Sequence, residues 1–271
     1  MSATRFAPSP TGLLHRGHAF SALTAFEAAR VMGGRFVLRI EDIDFTRCRP
    51  QFEAAIYEDL AWLDLAWEQP VLRQSEHAAD YLAALERLIE AGLVYRSFRT
   101  RKEIALAMLS APHGAGEGYR DAPLPAADES ARLAAGEPFA WRLNHAVAEA
   151  AAGPLTFTDA EAGTVRVDAS SAGDAVLARK DVGVAYHLAV VVDDARQGIT
   201  DVVRGEDLFE ATHVQRLLQA LLGLPEPRYR HHRLIAGEDG QRLAKRTSAE
   251  TLRSIRARGA AAGDLRRELG F

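Results

Sequence analysis

The 271-residue sequence predicts an α/β protein: a parallel sheet with helices on its faces, a small inserted α+β subdomain and a short helical C-terminus. Three observations predict it. Strand and helix signals alternate through the first hundred residues. The loop after the first strand has the make-up of a ligand-binding turn. The middle of the chain then changes to short strand candidates set among Pro-, Gly- and Ala-rich stretches.

Taken in order, Arg5-Phe6-Ala7 is a short strand broken at Pro8 and Pro10, and Gly12 opens a loop. Ala19, Phe20, Leu23, Phe26 and Ala29 recur at helical spacing, and Gly33-Gly34 stops that helix. Arg35 to Ile40 is rich in β-formers. Pro50 suits the first turn of a helix carrying Phe52, Ile56, Leu60 and Leu63. A further helix runs from about Glu76 to Ala91 and ends at Gly92. Thr100 and Glu103 form a capping box for a short helix, Thr100 to Ser110. Ala111 to Ala127 is a loop, followed by short strands at Phe139 to Leu143, Leu155 to Thr158 and Val165 to Val167. Ala185 to Val192 is apolar throughout, and its periodicity does not choose between helix and strand. Val202-Val203-Arg204 is a strand, and Ala211 to Leu222 a helix ended by Gly223.

Hydrophobic residues make up 48% and charged residues 26%, the balance of a soluble globular protein. The N-terminus lacks the apolar core of a signal peptide, and no window is long and apolar enough to span a membrane. A lone cysteine, Cys48, excludes a disulfide framework and a cysteine-based zinc site. A cytoplasmic, monomeric enzyme is expected. The net charge of −4 is unevenly spread. Residues 228–271 hold eleven Arg or Lys against five Asp or Glu, a local +6, which leaves −10 on the other 227. Such a basic end either meets a polyanion or is a solvated face.

Four motifs carry chemistry. Pro8 to His18, with His15, Gly17 and His18, lies between a strand and a helix start, where free N–H groups and the helix dipole suit a phosphate. Arg242-Leu243-Ala244-Lys245-Arg246 offers a loop lysine for charge developing on a leaving pyrophosphate. In Arg39-Ile40-Glu41-Asp42-Ile43-Asp44, alternation sends Arg39 and Glu41 to one face at a strand's carboxyl end, where Glu41 can take an ammonium. Tyr186 and Arg204 can clamp a carboxylate, although by pattern alone Tyr186 to Asp194 and Val203 to Asp207 read as core strands with charged ends.

Together these strings resemble the catalytic core of glutamyl-tRNA synthetases, from Arg5 to about Arg246, in matching order and similar spacing. The resemblance implies a Rossmann-like class I synthetase core. It implies a "HIGH" region at His15, Gly17 and His18, which with Lys245 of the "KMSKS" loop would bind ATP and act in catalysis. It also implies a glutamate site at Arg5, Phe6, Ala7, Pro8, Ser9, Glu41, Tyr186 and Arg204. The chain runs 25 residues past Arg246, without a long helical anticodon-binding region. In this it is similar to the truncated paralogues, the glutamyl-queuosine tRNA(Asp) synthetases. That family implies ATP with Mg2+, L-glutamate, activation without tRNA, and the queuosine-bearing anticodon stem-loop of tRNA(Asp) as partner. A truncated synthetase charging a tRNA 3′ end, a small-molecule nucleotidyltransferase and a non-catalytic RNA-binding paralogue are the alternatives.

The implied division is residues 1–96 and 176–238 as the two halves of the core, 97–175 as an inserted acceptor-binding-like subdomain, and 239–271 as the KMSKS-like loop and C-terminal helical segment. Departures are also visible. The loop has Arg242 and Ala244 where the family has lysine and serine. Val190 replaces an asparagine of the long enzymes. Ser97, Arg99, Tyr119 and Pro123 stand where the family often holds zinc, so no structural zinc is expected and the insertion should be held by packing alone.

Overall fold

The structure, a computed structural model, describes residues 1–100, 102–105, 118–179, 183–235 and 250–271. β1 (Ala3–Phe6) is followed by α1 (Arg16–Val31), β2 (Arg35–Ile40), α2 (Pro50–Trp62), β3 (Glu68–Arg73), α3 (Ala78–Glu90) and β4 (Val94–Ser97). β1 pairs in parallel with β2, Arg5 opposite Val37, and β3 continues the sheet beyond β2. α1 buries Ala19, Ala22, Leu23, Ala25 and Ala29, a stripe of small residues that lets it lie close against the strands. It ends where Gly33 takes a φ of 59°. Pro50 is the first residue of α2, as the sequence predicts.

Beyond β4, the Thr100–Glu103 capping box forms, with the Glu103 backbone N–H donating to the Thr100 hydroxyl at 3.2 Å, and residues 102–105 are helical. The rest of the predicted helix to Ser110, and residues 111–117 of the predicted loop, lie outside the described residues. α4 (Ala126–Ala134) is a helix where the sequence suggests the end of a loop. None of its residues is buried. β5 (Ala140–Leu143), α5 (His145–Ala152), β6 (Thr156–Asp159), β7 (Gly163–Arg166), β8 (Val176–Arg179) and β9 (Gly183–Val184) follow. β4, β5, β8 and β9 form one antiparallel sheet. The β6–β7 hairpin joins a different one.

The apolar stretch from Ala185 is helical: α6 (Tyr186–Arg196). This corrects the reading of Tyr186 to Asp194 as strand. Leu188, Ala189, Val190 and Val191 are all buried, so no polar face marks the 3.6-residue period. β10 (Asp201–Gly205), α7 (Phe209–Leu221) and β11 (Arg228–His232) complete the second half, β10 and β11 pairing in parallel. β11 in turn meets the hairpin, Tyr229 opposite Asp159. Thr200 donates to the Ala3 carbonyl at 3.0 Å and sets β10 beside β1. The result is a parallel α/β core of Rossmann type. α8 (Leu252–Ala257) and α9 (Ala262–Leu269) pack Leu252, Ile255, Leu265 and Leu269 into the same apolar cluster as α1 and α2.

Candidate active site

The carboxyl ends of β1, β2 and β10 open onto a cavity of about 650 Å³. Arg5, Phe6, Ala7, Pro8, Ser9, His15, Gly17, His18, Glu41, Tyr186 and Arg204 all line it. Every predicted site residue is therefore brought together except Lys245, which lies outside the described residues together with Arg242 and Ala244. A second cavity of about 480 Å³, between α1 and the β10–β11 strands, contains none of them.

The histidine motif forms the start of α1. His15 is the N-cap, and its Nδ1 accepts from the Gly17 N–H at 3.2 Å. His18 reaches back, its Nδ1 accepting from the His15 N–H at 3.1 Å. The two rings sit 3.8 Å apart. With both Nδ1 atoms accepting, the neutral rings carry their protons on Nε2, so each offers an N–H donor. This reciprocal cap also explains Gly17. A Cβ there would stand 3.1 Å from His15 Cε1, tight against the capping ring. The loop before it is tied to the one after β2: Pro8 O accepts from Glu41 N at 3.1 Å and Pro10 O from Arg49 N at 3.0 Å. On the other side, Leu252 N donates to Leu14 O at 2.8 Å, so α8 begins against the same motif.

Arg204 and Arg5 differ in what holds them. Arg204 is 4% exposed and donates to Tyr186 Oη (3.4 Å), Gln215 Oε1 (2.8 Å), Thr212 Oγ1 (2.6 Å), Leu208 O (3.3 Å) and His231 Nε2 (3.2 Å). Each of these is neutral: burial and the nearby guanidinium push His231 down to about 4. His231 Nδ1 donates to Asp159 at 2.7 Å. Burial works against the Asp159 carboxylate, but backbone N–H groups and His231 outweigh it and hold its pKa below the usual range. The hairpin β6–β7 thus backs Arg204 through one imidazole, and among the described residues no carboxylate touches the guanidinium itself. Sequence reasoning missed Thr212, Gln215, His231 and Asp159. Their only signal is polarity at helix and strand positions that turn out to be buried.

Arg5, by contrast, is paired with Asp194, Nε to Oδ1 at 3.1 Å and Nη2 to Oδ2 at 3.5 Å. Arg39 is fully buried and donates to Asp194 Oδ1 (2.8 Å), Glu41 Oε1 (3.3 Å) and Gln197 Oε1 (3.0 Å). Asp193 accepts from Gln74 Nε2 at 2.7 Å and Tyr81 Oη at 2.8 Å. The paired aspartates that end the apolar stretch are thus buried anchors on a helix, where the pattern suggested the charged end of a core strand. Val190 belongs to the apolar core and does not line the cavity.

The positions associated with zinc do not fit that metal. Ser97 is buried with its hydroxyl unpartnered, while Arg99 Nε and Tyr119 Oη both donate to Asp121 Oδ2, at 2.8 and 2.6 Å. The segment is held by these polar ties where packing alone was expected. Among the described residues no group of three His, Cys, Asp or Glu is arranged around a metal position, and no helix is long and apolar enough to cross a membrane.

Residues 2–267 match the family profile described as tRNA synthetases class I (E and Q), catalytic domain. A glutamyl-Q tRNA(Asp) synthetase from Rhodobacter capsulatus is 47% identical over 276 residues, covering 99% of both chains. A glutamate–tRNA ligase from Dinoroseobacter shibae is 40% identical over 96% of this chain but only 58% of its own length. The crystal structure of a glutamate tRNA ligase from Elizabethkingia meningosepticum, in complex with its amino acid, superposes with a TM-score of 0.83 at 26% identity, covering all of this chain and 60% of that one.

Proposed function

Because the chain belongs to the glutamate and glutamine branch of the class I tRNA synthetases, we propose that it activates L-glutamate with ATP, without tRNA, and transfers the glutamyl group to the queuosine at the wobble position of tRNA(Asp). The observation that carries the first step is the charge pattern of one cavity. Arg204 is a buried cation whose hydrogen-bond partners among the described residues are all neutral, matched to a carboxylate. Glu41 stands in the same cavity, matched to an ammonium. A neutral amide in place of the side-chain carboxylate would leave one guanidinium poorly answered, so glutamine should be rejected.

In the activation step a glutamate carboxylate oxygen attacks the α-phosphorus, and the bond to pyrophosphate breaks. His15 and His18, at the positive end of α1, are suited to stabilise charge on the phosphate oxygens. Lys245 is assigned to the departing pyrophosphate. Magnesium would arrive on ATP, held mainly by phosphate oxygens and water. In the second step a hydroxyl of the queuosine cyclopentene-diol attacks the glutamyl carbonyl, and AMP leaves. The near-complete two-way coverage of a relative named glutamyl-Q tRNA(Asp) synthetase supports this acceptor.

Two assays test the reading. Pyrophosphate exchange should depend on glutamate, proceed without tRNA, and fall by about 100-fold in His18→Ala and Lys245→Ala. Labelled glutamate should then pass to tRNA(Asp) carrying queuosine and not to tRNA(Asp) with guanosine at that position. Equal label on both forms would point to charging at the 3′ end instead.

A further inference from the structure

Five charged side chains meet where β1, β2 and α6 converge, and their charges do not cancel. Arg5 and Arg39 are positive; Glu41, Asp193 and Asp194 are negative. None is more than 8% exposed. Asp194 divides its oxygens between the two guanidiniums. Arg39 reaches all three carboxylates, with Asp193 the farthest at 3.8 Å. Of those carboxylates only Glu41 lines the cavity. Its Oε1 is held by Arg39, and no described residue hydrogen-bonds its Oε2. Arg39 itself is fully buried and does not line the cavity, so it can act on a ligand only through its neighbours. Burying an excess charge is costly unless it is paired.

We infer that Arg39 and Asp194 are positioning residues for amino-acid binding: they hold Glu41 and Arg5 in place and leave the buried array one positive charge short, so that the ammonium of the substrate completes it. The inference rests on the reading of the cavity as a glutamate site. It has a consequence in protons. Burial raises the pKa of Glu41; Arg39 and Arg5 pull it back, while Asp194 and Asp193 push it further up. Glu41 therefore gives up its proton less readily than a free glutamate side chain. Arrival of an ammonium expels that proton to solvent.

The test uses the full chain. Calorimetry of L-glutamate binding in mildly acidic buffers of different ionisation enthalpy should register proton release, and Glu41→Gln should abolish it. The acid limb of kcat/KM for glutamate, measured by pyrophosphate exchange, should move in opposite directions in two variants. Arg39→Met removes a positive charge and moves it to higher pH; Asp194→Asn removes a negative charge and moves it lower. Arg39→Lys keeps the charge without the three-way bridge, so the limb stays while KM for glutamate rises about tenfold and KM for ATP is unchanged. Limbs that shift the same way in both charge variants, or a KM for ATP that rises with that for glutamate, would reduce both residues to a structural role. Proton release with no exchange in the wild type would overturn the activity while leaving this inference standing. Binding without proton release would overturn the inference alone, and no binding at all would overturn both.

Discussion

Asp59 shows how one buried residue can oppose the fold it sits in. It lies on α2 with its side chain fully buried and, among the described residues, neither carboxyl oxygen hydrogen-bonded; Arg256 Nη2 stands 3.5 Å from Oδ1. Burial raises its pKa to about 6, against the pull of Arg256 and Arg253. A carboxyl whose pKa is higher in the folded than in the unfolded chain favours folding in its protonated form. Its contribution is fully present below the unfolded value of 3.8 and is lost as the pH rises through about 6. Asp59→Asn should therefore stabilise the protein at pH 7.5, by about 1–3 kcal/mol, with the gain shrinking as the pH falls. Urea denaturation at several pH values checks this. A variant less stable at neutral pH would mean that the pair with Arg256 outweighs the cost of burial.

At the scale of elements, the inserted sheet is pinned by two aspartates. Asp174 accepts from Tyr95 Oη (2.7 Å), the Asp121 N–H (3.0 Å) and the His145 N–H (3.0 Å), tying β4, the 119–121 segment and the start of α5 together. Asp121 then gathers Arg99 and Tyr119. Its own burial works against the charge, but these donors prevail and keep its pKa below the ordinary carboxylate range. The node includes Arg99 and Tyr119, two of the positions at which the resemblance implies zinc ligands. Purified, tag-free protein should carry no stoichiometric zinc, and chelators should leave its melting temperature unchanged. Asp121→Ala should speed amide exchange in β4 and β5, at a cost of about 1 kcal/mol or more. Stoichiometric zinc on elemental analysis would contradict the assignment.

Over the whole molecule, the basic C-terminal excess is less free than its formal charge suggests. Arg228 pairs with Asp201 at 2.8 Å, Arg253 and Arg256 with Glu58 at 3.6 and 3.0 Å, and Arg258 with Glu250. Part of the +6 is answered from outside the segment, by Asp201 and Glu58, while Glu250 belongs to the segment itself. Arg230 and Arg233 are exposed and form no carboxylate pair among the described residues; Arg233 lines the cavity and stacks 5.1 Å over Phe20. If RNA reaches the cavity mouth, these two are the arginines of the C-terminal segment, among the described residues, best placed to meet its phosphates. Arg233→Ala should weaken binding of an anticodon stem-loop and flatten its salt dependence by about 0.7–0.9 in the log–log slope. Arg228→Ala should change that slope little. Equal effects from both would mean that the ion pairs open when RNA binds.

Some features were settled by sequence because they are local. Pro50 at the head of α2, Gly33 at the end of α1, the Thr100–Glu103 box and the strand–loop–helix around His15 and His18 each depend on residues within a few positions of one another. The short motifs whose described residues line one cavity were legible too, since each is a run of a few neighbouring positions. Tertiary structure alone decided that Ala185 to Val192 lies in a helix, because a segment buried on every side carries no periodic signal. It also separated two arginines that look alike in the sequence. Arg5 is answered by Asp194, 189 positions away, and Arg204 is backed by Asp159 of a distant hairpin through His231. Charge compensation depends on which groups share a buried volume, and that is set by how the strands β1, β2, β10 and β11 and helix α6 pack together.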